Sequence, residues 1–341
     1  MVDARRGPPI HVGALDSGVD PRHPALRGRV AGFLYVDEEG VPRPERAAFD
    51  DDGHGTHTAG LVCGGSVRGR PAIGRCPGAR LFVAAVIEQG MVPVRMLVGL
   101  HWLARQPIRV LHLPLGIVGR TPLLHEAISR LRRRGVLVVA AAGNGGSGRV
   151  ESPACYPQVL TVGACDERGE PAAFSASVYA EDGRRCIKPD VLAPGVALRS
   201  AAPGRGMVRL SGTSMASACV AGLAASLFAA VPGATPSQVE AAIVRSARPL
   251  PAELAHRSRH GVVDFAGARA WLRRGRDLRR PPRPPIRWDE GPRCDAMLER
   301  RLRLRIAGDE LDAIVMLRPG FPGGALAGLV ERHARAARVR G

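Results

Sequence analysis

Short apolar segments alternate with helix-like segments between residues 10 and 142 of the chain. Each apolar segment is flanked by turn residues, as strands are when both faces of a parallel sheet are covered. The strand segments are Ile10–Leu15, Arg80–Ile87, Arg109–Gly116 and Gly135–Ala142, and the helical ones are Val94–Arg105 and His125–Arg134. This alternation predicts an α/β fold in which a parallel β-sheet is flanked by helices on both faces.

Two polar residues follow strands of this predicted sheet. Asp16 ends the first strand segment, and Asn144 follows the fourth. The carboxyl ends of parallel strands share one edge of the sheet, where α/β proteins place their binding and catalytic sites. Each residue alone could serve as a turn residue, since Asp and Asn both favour turns. The Asn144 amide could also donate a hydrogen bond to an oxyanion.

Two histidines occur in the segment Gly53-His54-Gly-Thr-His57-Thr-Ala-Gly60, which leads into an apolar helix. Histidines three residues apart can share a helix face and bind a metal ion. No acidic or cysteine residue stands at a useful spacing, so the sequence favours no metal site here. We expect His54 to be exposed at the sheet edge as a general base, and His57 to be packed.

A run of small residues from Ser211 to Ala218 opens into a long apolar segment ending near Ala230. This pattern predicts a tight turn followed by a buried helix, with Ser214 near the helix start. Backbone N–H groups at a helix start favour negative charge, so an oxyanion formed by attack of Ser214 on a carbonyl would be stabilised there. Serine and threonine also commonly cap helices, and this stretch alone leaves both interpretations open.

Taken together, four motifs resemble those of the subtilisin-like serine peptidases. They are Asp16-Ser-Gly, His54-Gly-Thr-His-Thr-Ala-Gly, Ala-Ala-Gly-Asn144 and Gly-Thr-Ser214-Met-Ala-Ser, and the similarity extends from about Val12 to Pro251. The resemblance implies that Ser214 is the nucleophile, His54 the proton carrier and Asp16 the group that orients its ring. It also implies that Asn144 contributes to the oxyanion hole.

In this family, substrate peptides bind by adding a strand to exposed backbone. The resemblance assigns this role to Leu113, Pro114, Leu115 and Gly116 on one side and to Gln89, Gly90 and Met91 on the other. The family usually has serine at the position of Pro114. Proline cannot donate to a β-ladder, so we expect altered substrate preference, with the N–H of Gly116 still available.

The same resemblance predicts that Ala142 and Gly143 line the pocket for the substrate residue before the scissile bond, and that Glu151 lies near its floor. A carboxylate there would favour arginine or lysine in the substrate. The alternative is that Glu151 is a solvated loop residue, as glutamates usually are. The sequence supports these two interpretations equally.

Charge is unevenly distributed along the chain. The net charge is +18, and residues 269–341 contain 18 arginines against nine acidic residues. Lys188 is the only lysine, so the basic character reflects a compositional preference for arginine and does not favour nucleic acid as a partner. Seven cysteines without CxxC pairs predict neither a zinc site nor a disulfide framework.

The sequence predicts three regions: a peptidase domain at 1–271, an Arg/Pro-rich linker at 272–287 and a small β-β-α appendage at 288–341. The appendage strands are predicted at Arg301–Ile306 and Leu311–Leu317, and its helix at 324–338. The appendage could pack on the peptidase domain, dimerise or recognise a leader segment of a substrate.

The leading functional hypothesis is a specific intracellular serine endopeptidase that processes a peptide or protein substrate, and a peptide precursor with a leader segment is one candidate. The alternative is a non-enzymatic peptide-binding or scaffold protein on the same fold. No apolar signal region or membrane-spanning segment is recognisable, which predicts a cytoplasmic protein. We expect no cofactor, because the acidic ligands of the calcium site common in this family are not recognisable; the oligomeric state is left open.

Overall fold

An eight-stranded sheet forms the centre of the protein. The computed structural model describes residues 9–87, 92–117, 119, 122–179, 186–274, 299–306 and 309–316. The strands of the sheet are β1 (His11–Asp16), β2 (Val30–Val36), β3 (Pro42–Arg43), β4 (Arg80–Ala85), β5 (Ile108–Leu113), β6 (Leu137–Ala141), β7 (Leu160–Cys165) and β10 (Val191–Pro194). Their spatial order is β10-β7-β6-β5-β1-β4-β2-β3.

All pairings in this sheet are parallel except that of β2 with β3. Strand β1 lies between β4 and β5, so its carboxyl end is in the middle of the sheet edge. The predicted third strand is shorter than expected, because β5 ends at Leu113, whose partner on β6 is Ala140. Pro114 has no N–H with which to continue the ladder.

Six α-helices occur in the described ranges: α1 (His54–Cys63), α2 (Val92–Ala104), α3 (His125–Arg133), α4 (Thr213–Ala230), α5 (Pro236–Arg245) and α6 (Phe265–Arg273). Residues of α2 and α3 pack in one apolar cluster, and those of α1, α4, α5 and α6 pack in another. Alternate residues of the central strands face the two clusters; Val138 faces one and Val139 the other. The predicted α/β architecture, with helices on both faces of the sheet, is confirmed.

Helix α4 is the long apolar helix expected around Ser214. It is long and apolar enough to cross a bilayer, but 89% of it is buried inside the fold. Its composition is therefore explained by packing against the sheet. Helix α5 begins as predicted: Thr235 is the N-cap and forms a capping box with Gln238, and Pro236 is the first helical residue.

Among the described residues, three two-stranded sheets lie outside the main sheet. The pairs are β8 (Val178–Tyr179) with β9 (Cys186–Lys188), β11 (Leu198–Ala201) with β12 (Met207–Leu210), and β13 (Glu299–Ile306) with β14 (Asp309–Met316). The strands β13 and β14 are antiparallel and occupy the two predicted strand positions. The predicted helix at 324–338 lies outside the described residues, and the division into domain, linker and appendage stays a prediction.

Candidate active site

Asp16 and His54 form an ion pair at the carboxyl end of β1. Asp16 is the last residue of β1 and His54 the first of α1, and Nδ1 of His54 lies 2.6 Å from Oδ1 of Asp16. Asp16 is 1% exposed. It also accepts hydrogen bonds from the Thr58 hydroxyl and the Ser17 N–H. The carboxylate is therefore fixed from three sides and holds the histidine ring by one nitrogen.

Buried polar groups place the start of α1 against β1. Asp50 accepts hydrogen bonds from the N–H of Thr56 and the hydroxyl of Ser17, and that hydroxyl accepts from the N–H of Gly55. These bonds satisfy N–H groups that a helix start would otherwise leave unpaired. A Cβ atom on Gly55 would lie 2.0 Å from the carbonyl oxygen of Gly18. Only glycine allows this close approach of the helix to the turn after β1.

The ion pair shifts the pKa of both partners. Burial alone would raise the pKa of Asp16, but the charge of His54 and the hydrogen bonds from His54, Thr58 and the Ser17 N–H hold that pKa below its usual value. The Asp16 carboxylate raises the pKa of His54 above its usual 6.5, against the effect of burial. The charges of Asp52 and Asp50 act in the same direction. His54 must lose a proton before it can act as a base, so activity should increase with pH, and the midpoint of this increase should lie above pH 6.5.

Asp52 offers a way to test this electrostatic effect. It is exposed, and its Oδ1 accepts from the N–H of His54. In Asp52→Asn the hydrogen-bond acceptor remains while the negative charge is lost. The midpoint pH of the rise in kcat/KM should therefore fall by about 0.3 units at low ionic strength. The matched control is the exposed neighbour Asp51→Asn, for which we expect a smaller shift. An upward shift in Asp52→Asn, or an equal one in both variants, would contradict the assignment.

Ser214 is the second residue of α4 and is 8% exposed. Its hydroxyl donates to the carbonyl of Pro114 at 2.9 Å. A hydroxyl has one proton, so in this state it does not also donate to His54. Hydrogen bonds between catalytic groups often tighten only when substrate is bound.

A buried histidine of β5, His112, lies beneath Ser214. His112 is 1% exposed and its Nε2 is 2.9 Å from the Ser217 hydroxyl, which donates to the carbonyl of Ser214. Burial lowers the pKa of His112 to about 4, so the ring is neutral at physiological pH. Both contacts of the Ser217 hydroxyl are hydrogen bonds when Nε2 of His112 carries the ring proton and donates to it. This chain connects β5 to the first turn of α4.

Asn144 follows β6, and its side chain is oriented by Thr213, the residue before Ser214. Its Oδ1 accepts from both the backbone N–H and the hydroxyl of Thr213, each at 3.0 Å. The backbone N–H requires an oxygen at that position, so the amide NH₂ of Asn144 points away from Thr213. Asn144 is exposed, and its two amide protons are available to an acceptor beside Ser214.

The segment after β5 presents an open backbone edge. Leu113 and Pro114 are buried, Leu115 is half-buried and Gly116 is exposed. Of the residues that the structure describes, none accepts a hydrogen bond from the Gly116 N–H. Within the described part of the chain, that N–H is left available to a peptide strand. Gln89, Gly90 and Met91, predicted on the opposite side, lie outside the described residues.

Glu151 lies beside this edge. Its Oε2 would be 3.8 Å from a Cβ atom on Gly116, and the next residue, Ser152, accepts from the N–H of Ile117 at 2.8 Å. The Glu151 side chain is 27% exposed and forms an ion pair with Arg149, whose Nε is 2.9 Å from Oε1. Buried Ala142 and half-buried Gly143 lie between β6 and Asn144. Glu151 is thus a partly exposed loop residue that also lies near Gly116, so both interpretations of its role stay predictions.

Several residues of this site were not singled out by sequence reasoning. Thr58 and Ser17 stand within the quoted motifs, but their hydrogen bonds depend on how α1 meets β1. Asp50, Thr213 and His112 each contact a residue that is distant in sequence. The partners are Ser17, Asn144 and Ser217, respectively. A lone histidine in an otherwise apolar strand was the available signal for His112. His57 is packed as expected, with its Nε2 3.0 Å from the Leu198 carbonyl.

No residues are assigned to a metal ion. Among the described side chains, no group of three or more His, Cys, Asp and Glu is placed to hold one. The expectation that no cofactor or calcium ion is needed stays a prediction.

Comparison with known proteins identifies relatives that match most of this chain. The sequence profile of the subtilase family matches residues 7–268. Subtilisin-like protease PopC of Myxococcus xanthus is 35% identical over 76% of this chain and 60% of its own length. Subtilisin Savinase of Lederbergia lenta is 36% identical over 64% of this chain and 76% of its own length. The chain thus spans less than two thirds of PopC.

Two solved structures share the fold. The prenylagaramide maturation protease PagA superposes with a TM-score of 0.65 at 27% identity, covering 79% of this chain and 95% of its own. A mutant of the protease domain of PatA gives a TM-score of 0.67 at 30% identity, covering 82% of this chain and all of its own. The profile match spans more than half of the chain and contains all four motifs. The chain belongs to the subtilase family of serine peptidases.

Proposed function

We propose that this protein is a serine endopeptidase that cleaves peptide bonds through an acyl-enzyme intermediate. Ser214 is the nucleophile, His54 the general base and acid, and Asp16 the residue that orients the His54 ring. The observation that carries the proposal is the 2.6 Å contact between His54 and Asp16 at the sheet edge. Asp16 is buried and takes part in three hydrogen bonds, with His54, Thr58 and the Ser17 N–H. Family membership supports the same chemistry.

In the first half of the reaction, the Ser214 oxygen forms a bond to the scissile carbonyl carbon while its proton passes to Nε2 of His54. The carbonyl oxygen becomes an oxyanion, stabilised by the Asn144 amide and the Ser214 N–H. Collapse of this intermediate breaks the C–N bond, and His54 gives its proton to the departing amine. Water then repeats the sequence in place of Ser214 and releases the acid product.

An active-site phosphonate distinguishes this enzyme from a peptide-binding protein on the same fold. We expect one equivalent of an aryl phosphonate to bond to Ser214, detected as a mass increase on the peptide that contains it. Ser214→Ala should give no adduct, while the wild-type protein denatured beforehand serves as the control for non-specific reaction. A folded wild-type protein that remains unlabelled would favour the binding protein.

The proposal extends to substrate choice. We place the substrate backbone against Gly116 and its residue before the scissile bond near Glu151. A half-buried carboxylate in that position favours arginine or lysine through charge-assisted hydrogen bonds. Such a preference fits cleavage at defined sites, as in processing of a precursor peptide. The similarity to PagA, a prenylagaramide maturation protease, supports this role.

Replacing Glu151 with glutamine tests the preference. Two peptides that differ only in arginine or leucine before the scissile bond should be compared by kcat/KM. Glu151→Gln should lower kcat/KM for the arginine peptide at least about tenfold relative to the leucine peptide, because the substrate guanidinium loses the carboxylate that pairs with it. Glu167→Gln, on an exposed loop, is the matched control. An unchanged ratio in Glu151→Gln would remove the basic preference from the proposal.

The cellular setting is part of the same proposal. We infer an intracellular processing enzyme with a peptide precursor as substrate, whose leader segment is recognised outside the cleavage site. The appendage at 288–341 is our candidate for that recognition, and the linker at 272–287 separates it from the peptidase domain. Neither a membrane nor nucleic acid is required for this role.

A further inference from the structure

The Glu151 carboxylate already has a basic partner within its own loop. Nε of Arg149 is 2.9 Å from Oε1 of Glu151, while Oε2 is the oxygen near Gly116. A guanidinium group from a substrate would meet this carboxylate in competition with Arg149. Both groups offer the same chemistry, because each is an arginine-type donor to a single carboxylate.

The backbone around Glu151 is fixed, whereas Arg149 is free to leave. Val150 and Ser152, on either side of Glu151, are 2% and 0% exposed, and Ser152 is bonded to Ile117. The Arg149 side chain is 58% exposed, against 27% for Glu151. Arg149 can therefore move into solvent with little loss of packing, while the carboxylate stays beside the peptide edge.

We propose that Arg149 is a specificity-determining residue: it occupies the Glu151 carboxylate in the free enzyme as an internal mimic of a basic substrate side chain, and a basic substrate must displace it in order to pair with Glu151. This rests on the proposed basic preference at Glu151. An apolar substrate residue makes no such exchange, so Arg149 lowers the enzyme's discrimination between basic and apolar residues.

A double-mutant cycle tests the competition. The proteins are wild type, Arg149→Gln, Glu151→Gln and the double variant, with Arg168→Gln on an exposed loop as control. Each is assayed with the two peptides that carry arginine or leucine before the scissile bond. Arg149→Gln should raise the arginine-to-leucine ratio of kcat/KM about two- to fivefold, the worth of a partly exposed ion pair, mainly through KM. In the Glu151→Gln background the same change should leave the ratio unaltered.

The outcomes separate the two proposals. If Glu151→Gln removes the arginine preference but Arg149→Gln leaves it unchanged or lowers it, the competition is wrong and the basic preference stands. If Glu151→Gln leaves the ratio unchanged, both fail. Calorimetric binding of the same peptides to the Ser214→Ala forms gives the same comparison without turnover, so a failure of catalysis does not hide the result. Thermal unfolding of Arg149→Gln confirms that its loop is intact.

Discussion

Replacing Ser214 with alanine is expected to lower kcat by about six orders of magnitude, and replacing His54 with alanine should cost about as much. That magnitude is the one known for subtilisin, and we transfer it on family membership. A serine hydroxyl is a poor nucleophile without a base, and a base without the hydroxyl has nothing to activate. The double variant should therefore be no worse than either single variant. Initial rates with a chromogenic peptide, at high enzyme concentration, provide the measurement.

Ser226→Ala is the matched control for this experiment. Ser226 is also a buried serine of α4, and its hydroxyl donates only within the helix, to the Leu223 carbonyl. We expect near wild-type kcat from it. Additive losses in the double variant, or a loss below about a hundredfold in Ser214→Ala, would show that the two residues do not act as one unit.

Asp16→Asn is expected to lower kcat by about four orders of magnitude while the protein remains folded. The asparagine can still fill the space, but its amide can present an N–H to Nδ1 of His54. The histidine would then carry its proton on the wrong nitrogen and could not accept one from Ser214. Circular dichroism and kcat measured on the same sample separate this effect from unfolding.

Asp264→Asn is the control for the carboxylate substitution. Asp264 caps α6 by accepting from the N–H groups of Ala266 and Gly267, and asparagine is an equally good cap. Activity should be unchanged in this variant. A loss below about tenfold in Asp16→Asn would mean that the His54 ring is held by other contacts.

The sequence predicts the fold because the apolar pattern of a doubly covered parallel sheet is local. Asp16 and Asn144 could be placed at one edge from strand ends alone, and Ser214 from the apolar helix that follows it. The contacts that orient these groups are not local. Thr213 meets Asn144 across 69 positions of the sequence, and His112 meets Ser217 across 105.

The resemblance predicts which residues lie near the substrate, but it does not predict their side-chain partners. The resemblance placed Glu151 near a substrate pocket, but the ion pair with Arg149 depends on the conformation of one loop. Similarly, β5 was expected to continue to Gly116, whereas Pro114 ends the ladder and its carbonyl accepts from Ser214. Pattern analysis does not distinguish a strand from an extended segment that has left its sheet.

Helix α4 carries Ser214 through the interior of the protein, while Glu151 and Arg149 stand on a surface loop. A substitution that disturbs α4 affects the packing of the whole sheet, so few changes near the nucleophile can be tolerated. The side chains of Glu151 and Arg149 are partly exposed, so substitutions of these two residues disturb less of the packing. This separation gives the protein a route by which its choice of substrate can diverge in evolution while its chemistry is retained.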